Sequence, residues 1–294
     1  MKKAAVVILL LVISVLTVIS TKAEIIYGKS RKTVSLSEKN LLNVRFFECG
    51  QADCIFLKLP DGKCMLIDSG RKDFAKELVD FLKKEGYKKL DYVVATHPHA
   101  DHIGGMSAVL KNFSVGRFFM PDVTHTTSAY KKMLSALKKN GCEVSYLKSG
   151  TKVLEGEVEC VALSPVNKNY RNLNNTSAVL RIEYGKVSFL FAADMEFFAE
   201  MDVLNSGADV NADILKVAHH GGLTSSCRAF LNAVSPKSAV ISASENEKPE
   251  FPSQAVLRRL SMMRAEVCRT DKNGDVCIIS DGENYEVLCE RVAF

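Results

Sequence analysis

Six consecutive residues hold most of the chemistry in this chain: His97-Pro98-His99-Ala100-Asp101-His102. Three of its six histidines fall in that stretch, and two more are adjacent at His219 and His220. Imidazoles and carboxylates gathered at this density are metal donors by type. The run follows directly on the β-type segment Tyr92-Val-Val-Ala-Thr96. In extended backbone, positions 97 and 99 share a side, so both rings can reach one cation at about 2.0–2.1 Å. Asp101 and His102 then open a helix, where the turn of the chain aims them at a second point nearby. Gly104-Gly105 lets the backbone pack closely under that point. The plain alternative, a surface histidine cluster with Asp101 as a helix N-cap, leaves the density of donors unexplained.

Strands and helices must deliver those donors. Residues 44–48, 54–59 and 63–67 read as short strands, the last two joined by the turn Pro60-Asp61-Gly62. Phe74, Leu78, Phe81 and Leu82 are spaced as on a helix over 72–84, which stops at Gly86. A strand at 91–96, a helix at 102–112, a strand at 116–120 and a helix at 127–140 closed by Gly141 follow. Strands are expected near 142–147, 158–163, 177–184 and 187–193, with a helix near 195–205. The last third alternates strand 213–218, helix 225–233, strand 238–243 and helix 253–264, and ends in strands near 266–270, 275–280 and 284–290. There is no short-period repeat. Strand clusters interleaved with helices predict a layered α/β or α+β sandwich with helices covering the sheets.

The 294 residues, 47% hydrophobic and 25% charged, suit a folded chain with ample core and exclude collagen-like, low-complexity and disordered classes. Three of the 39 basic residues (Lys2, Lys3, Lys22) lie in the amino-terminal segment, and without them 36 bases face 34 acids. Charge alone therefore does not mark a basic nucleic-acid-binding domain. After Met1-Lys2-Lys3, residues 4–19 are apolar except for Ser14 and Thr17, and small residues precede Glu24. That is the pattern of an export signal, so residues 1–23 are read as a signal peptide or an N-terminal membrane anchor. The chain is accordingly expected outside the cytoplasm, extracellular or attached to the cell surface. Residues 24–42 read as a polar tether and 43–294 as the folded domain. The nine cysteines show no C-x-x-C spacing, which argues for mostly free, buried thiols and against a thiolate zinc site.

Through these residues the chain resembles the metallo-β-lactamase superfamily, whose signature is H-x-H-x-D-H. Within it, the chain is similar to the hydrolase domain of ComEC-type competence proteins and their freestanding exported relatives. Phe47-Glu-Cys-Gly-Gln-Ala-Asp-Cys54 resembles that group's V-G-Q-G-D-A segment, and Met65-Leu-Ile-Asp-Ser-Gly70 its L-I-D-x-G. Leu215-Lys-Val-Ala-His-His-Gly-Gly222 resembles L-K-x-x-H-H-G-S, and Arg269-Thr-Asp-Lys-Asn-Gly274 resembles R-T-D-x-x-G. The resemblance implies an α+β fold, a four-layer αββα sandwich with metals at one edge between two sheets.

It also implies roles. His97 and His99 would hold a first divalent ion, while Asp101, His102 and His220 would hold a second. Asp194, after the apolar run Phe189-Leu-Phe-Ala-Ala, would bridge them; a helix N-cap is its plain alternative. His219 would face the substrate or support the ligands. Asp68 would orient a ligand histidine or the attacking water, beside the plainer role of a turn carboxylate before Gly70. Asp53 and Gln51 lie near the same rim or serve a hairpin, and His125 reads as an exposed loop histidine.

Two positions depart from the pattern. Where most members carry a third histidine for the first metal, this chain has Asn172-Leu-Asn-Asn-Thr-Ser177, so Asn174 or Asn175 would serve as a weak ligand or a substrate contact. An amide oxygen is a harder donor than imidazole and moves the preference from Zn²⁺ toward Mn²⁺ or Mg²⁺. Phe251 stands where the group often has the histidine of a glycine-histidine-proline turn.

The expected cofactors are two divalent ions, Zn²⁺ or Mn²⁺, which make hydroxide available near neutral pH and polarise the scissile bond. The expected activity is phosphoester hydrolysis on nucleic acid or a cell-envelope phosphodiester. Lactone, lactam or thioester hydrolysis is the alternative chemistry, and a non-catalytic exported metal-binding protein the alternative class. No protein partner is implied. The basic pairs Lys131-Lys132, Lys138-Lys139 and Arg258-Arg259 either meet a polyanion or are solvated helix faces.

Overall fold

The computed structural model describes residues 36, 40–167, 169–245 and 250–291. The signal or anchor over 1–23 and most of the tether fall outside the described residues, as do Lys168, residues 246–249 and the last three positions. Among the described residues, no helix is long and apolar enough to cross a membrane.

The amino-terminal half builds one sheet. Leu42–Phe46 (β1), Ile55–Lys58 (β2) and Cys64–Ile67 (β3) run antiparallel, and Lys89–Val94 (β4), Ser114–Pro121 (β5) and Glu143–Leu147 (β6) then continue parallel to β3. Parallel neighbours require crossovers, supplied by helices Ala75–Lys84 (α1), Ala100–Ile103 (α2), Met106–Asn112 (α3) and Ser128–Asn140 (α4). The second sheet begins with the antiparallel strands Lys152–Leu154 (β7), Val158–Ala162 (β8), Leu180–Tyr184 (β9) and Val187–Phe191 (β10). It continues in parallel with Ile214–Lys216 (β11), Ser238–Ile241 (β12) and Glu266–Arg269 (β13). Phe197–Asn205 (α5), Arg228–Val234 (α6) and Gln254–Met262 (α7) cover its outer face, and Thr270–Asn273 (α8) follows β13. Val276–Ser280 (β14) and Tyr285–Cys289 (β15) return to the first sheet, β14 pairing with β1.

Strand alternation decides which core each side chain joins. On β5, Phe118 packs among the helices and its neighbour Phe119 packs between the sheets. The inter-sheet core takes Leu42, Val44 and Phe46 from one sheet and Phe189, Phe191 and Ile214 from the other. Leu78, Leu82, Val109 and Met133 seal helices to the first sheet, and Phe230, Leu231, Val256 and Leu260 seal helices to the second. The result is the four-layer αββα sandwich. All nine cysteines are free thiols.

Two expectations on local structure need correction. The helix predicted over 102–112 is broken in two at Gly104-Gly105. A Cβ at Gly104 would lie 2.4 Å from the Ala100 carbonyl oxygen, and one at Gly105 2.5 Å from that of Ser69. The glycines thus let the 69–72 segment lie against the helix pair, and no side chain fits there. The three-residue β7 has no counterpart among the predicted strands, because so short an edge strand shows no period.

Candidate metal centre

The donor residues all follow the carboxyl ends of parallel strands. Asp68 follows β3, His97 to His102 follow β4, Asp194 follows β10, and His219 and His220 follow β11. That is the edge at which open α/β sheets present ligands, and the two sheets bring their edges together there. The backbone is held out of its ordinary conformations at the same places: Asp68, Ala193, His219 and His220 all have positive φ, between 46° and 57°. Such conformations persist only where surrounding structure enforces them. Gly221, at φ +77°, passes against Pro252, whose Cβ would lie 2.6 Å from an added Cβ.

Two groups of donors form around Asp194. In one, His97 Nε2 lies 3.0 Å from His99 Nδ1 and 3.8 Å from Asp194 Oδ2. In the other, His102 Nε2 lies 3.3 Å from Asp194 Oδ2, and His220 Nε2 lies 3.6 Å from both Asp194 Oδ1 and Asp101 Oδ2. Donors about 2.0–2.1 Å from a tetrahedral ion are about 3.3–3.4 Å apart, and these separations bracket that value. His102 Nε2, His220 Nε2 and Asp194 Oδ1 are buried with no hydrogen-bond partner, a costly state for polar atoms that a cation relieves. The donor set fits a pair of divalent ions.

The histidines are oriented from behind. His102 Nδ1 is 2.7 Å from Asp68 Oδ2, and Asp68 also accepts from the Thr96 amide at 2.8 Å and the Thr96 hydroxyl at 2.6 Å. His220 Nδ1 donates to the Ser242 carbonyl at 3.1 Å. In both rings the support fixes the Nδ1–H tautomer and leaves the Nε2 lone pair for a metal. Beneath them, Asp53 and Lys216 form a buried ion pair, with Lys216 Nζ 2.7 Å from Asp53 Oδ2.

Protonation follows from burial and these neighbours. Burial opposes charge on His102, but Asp194 and Asp68 outweigh it and raise its pKa well above the ordinary range. His220 is raised for a similar reason, with Asp194 and Asp101 overcoming its burial. Burial, reinforced by the nearby His102, drives His97 well below its usual value. Asp194 is buried, yet His102 and His220 hold its pKa well below the carboxylate range. The field that draws protons onto these histidines is also the field that holds a cation.

Around this core, His219 Nδ1 lies 3.2 Å from Glu196 Oε1, and its ring meets Phe251 edge-on at 5.4 Å. Asn174 donates to Glu196 at 2.9 Å, lies 3.4 Å from His219 Nε2, and keeps a buried carbonyl oxygen without a partner. Asn175 is placed otherwise: its carbonyl oxygen accepts from the amides of Glu196 and Ala199 at the start of α5. Of the two asparagines, only Asn174 has an amide oxygen to offer.

Several residues here escape a reading by sequence. Lys216 has no assigned role inside its own motif, although a lysine in an apolar strand is itself a signal. Glu196 gathers Asn172, Asn174 and His219. His125, expected as an exposed loop residue, is instead half-buried with its ring 6.3 Å from that of His99. The β5 strand carries it to the same sheet edge, which spacing along the chain does not reveal.

The model of the metallo-beta-lactamase superfamily matches residues 47–245. The chain belongs to that superfamily. It is 31% identical over 250 residues to ComE operon protein 3 of Bacillus subtilis, a match covering 79% of this chain and 32% of that protein. It is 26% identical over 243 residues to Recombination protein 2 of Haemophilus influenzae, covering 81% of this chain and 29% of that protein. The chain thus spans about a third of the curated relatives it matches. Among solved structures, CmlA, a diiron β-hydroxylase from Streptomyces venezuelae, superposes with a TM-score of 0.52 at 15% identity, covering 80% of this chain and 53% of that one. The metallo-beta-lactamase fold protein YhfI from Bacillus subtilis superposes at 0.51 with 12% identity, covering 78% and 95%. Both show the fold alone. Membership and donor set together fit a divalent-metal site of this superfamily.

Proposed function

We propose that the chain is a phosphodiesterase acting on nucleic acid. The observation that carries this reading is the sharing of Asp194 between two donor groups. A bound pair of divalent ions there would supply Lewis acidity and a low-pKa water, a combination suited to in-line displacement at phosphorus. His97, His99 and Asp194 would hold one ion, and Asp101, His102, His220 and Asp194 the other. Asp68 and the Ser242 carbonyl keep two of the imidazoles aimed. His219, steadied by Glu196 and Phe251, faces the substrate, and Asn174 brings an oxygen donor. That oxygen supports Mn²⁺ beside Zn²⁺ as the native metal.

The relatives' names, competence and recombination proteins, favour nucleic acid over other phosphodiesters. The basic start and apolar run of residues 1–23 support export or membrane attachment; a mature amino terminus at Met1 in a cytosolic fraction would refute it. The catalytic reading is tested by metal analysis coupled to a screen of phosphodiesters, phosphomonoesters, lactones and lactams. Metal-dependent release of nitrophenol from bis(p-nitrophenyl) phosphate is expected. Turnover confined to lactones or lactams would assign the other chemistry, and silence with every common divalent ion would favour a binding protein.

A further inference from the structure

Gln51 is 3% exposed, yet neither its carboxamide nitrogen nor its oxygen has a hydrogen-bond partner in the protein. Buried amides left open at both ends are rare in folded chains. Gln51 stands on the wall of a cleft of about 800 Å³ that opens beside Asp101 and is also lined by Arg71, Lys72, Ser128 and Lys132. The size is that of a ligand site. The loop bearing Gln51 is tied to the donor residues, since the Asp53 amide donates to the Asp101 carbonyl at 3.1 Å. Across the cleft, the 13-residue helix α4 begins at Ser128 with Thr127 as its cap. Its first-turn amides and positive dipole end favour an anion. Lys72 and Lys132 are exposed, while Arg71 is paired with Asp73 at 2.7 Å. The remaining carboxylate, Asp101, belongs to the donor group.

We propose that this cleft binds a second phosphate of the substrate strand, adjoining the scissile one. The Gln51 amide donates to a non-bridging oxygen, and Lys72 and Lys132 supply the charge. The inference rests on the phosphodiesterase reading and adds the direction in which the strand leaves the metals. Its consequence is selection for chains with several phosphates over diesters with one.

The test uses binding, which does not depend on turnover. A fluorescent oligothymidylate with a cleavage-resistant phosphorothioate backbone is titrated with the protein in Mn²⁺ and followed by anisotropy. Lys72→Glu with Lys132→Glu should raise Kd by about tenfold or more. The same pair should flatten the salt dependence, by about 0.7 in log–log slope for each phosphate no longer neutralised. Gln51→Leu should raise Kd about threefold without changing the slope, because a carboxamide carries no charge and releases no counterion. Metal content and melting temperature verify that the variants are folded. In turnover, the charge-reversed protein should lose at least about tenfold more kcat/KM on an oligonucleotide than on bis(p-nitrophenyl) phosphate. A Kd within twofold of wild type in all variants, equal losses on both substrates, or no binding by the wild type would overturn the proposal. Cleft-dependent binding by a wild type that cleaves neither substrate would remove the hydrolytic reading and leave the cleft standing. Aryl diester cleavage with cleft-independent oligonucleotide binding would do the reverse.

Discussion

The two donor groups share Asp194 but are built to different standards. Around Asp101, His102 and His220, both imidazoles are fully buried and braced, one by Asp68 and the other by the Ser242 carbonyl. A buried ion pair, Asp53 with Lys216, lies behind them. Around His97 and His99 the bracing is thin. His97 Nδ1 has the Thr96 hydroxyl at 3.2 Å, His99 is half-buried beside His125, and Asn174, set against Glu196 and His219, has only a neutral amide oxygen to offer. Preorganisation governs how much of a ligand's binding energy survives. If the site holds two ions, the braced group is therefore expected to bind the tighter and the thin group the more exchangeable one.

The sharpest way to break this contrast is to remove what the two groups share. Asp194→Ala should cost both metals and reduce turnover to background, because neither group keeps a full donor set. Full activity with two bound metals would show that the bridge is assigned to the wrong residue. Asp101→Ala or His220→Ala should empty mainly the braced site, leaving one metal by elemental analysis and greatly reduced hydrolysis. The brace itself is tested by Lys216→Met, which leaves the Asp53 carboxylate buried without its cation at a cost of about 3–5 kcal/mol. Urea unfolding should register it. A loss below about 1 kcal/mol would mean that the pair contributes little to the support.

Metal removal compares the groups from the other side. The cluster holds the carboxylates of Asp53, Asp68, Asp101 and Asp194, and bound cations would relieve their mutual repulsion. At free metal about 100-fold above Kd, binding stabilises the fold by about 2.7 kcal/mol. For a chain of this size that is roughly 5–10 °C in Tm, lost on chelation. Asp68→Asn is the milder intervention. It keeps the shape but weakens the acceptor behind His102, and should lower affinity at the braced site about 10–100-fold while the His97 group keeps its ion.

What could be read from the sequence was what lies close together in it. His97 to His102 occupy one turn of chain at the end of one strand, so residue type and spacing were enough to aim them at two nearby points, while Asp194 and His220 came from the family resemblance. The strands and helices were legible wherever an apolar period lasted four residues or more, and the glycine pair was read as a close approach. The pairing of Asp53 with Lys216 spans 163 residues of sequence, and nothing local in either segment announces the other. His125 was misjudged for the same reason, since its polar loop says nothing of the strand order that sets it beside His99. The choice between Asn174 and Asn175 turned on which amide the start of α5 consumes, a matter of three-dimensional register that adjacent identical residues cannot disclose.

The smallest expected effect addresses that asparagine. The carbonyl oxygen of Asn174 is buried and free of partners, while its nitrogen is held by Glu196 at 2.9 Å. If the thin group owes its weakness to this amide, Asn174→His supplies an imidazole, a better donor for Zn²⁺ and no better for Mn²⁺. Zinc affinity at that site should rise on the order of tenfold, with manganese affinity flat or lower, as read by competitive titration against a chelating dye. Asn175→His is the internal control. It removes the oxygen that accepts the Glu196 and Ala199 amides and should lower the melting temperature without tightening either metal. Activity need not follow affinity, because a site that holds zinc harder also holds the product's oxygens harder, and release can then limit kcat. The decisive comparison is the ratio of zinc to manganese affinity in the two variants. An unchanged ratio in Asn174→His would show that this loop does not face the metals, and the weakness of the His97 group would then lie in its missing support alone.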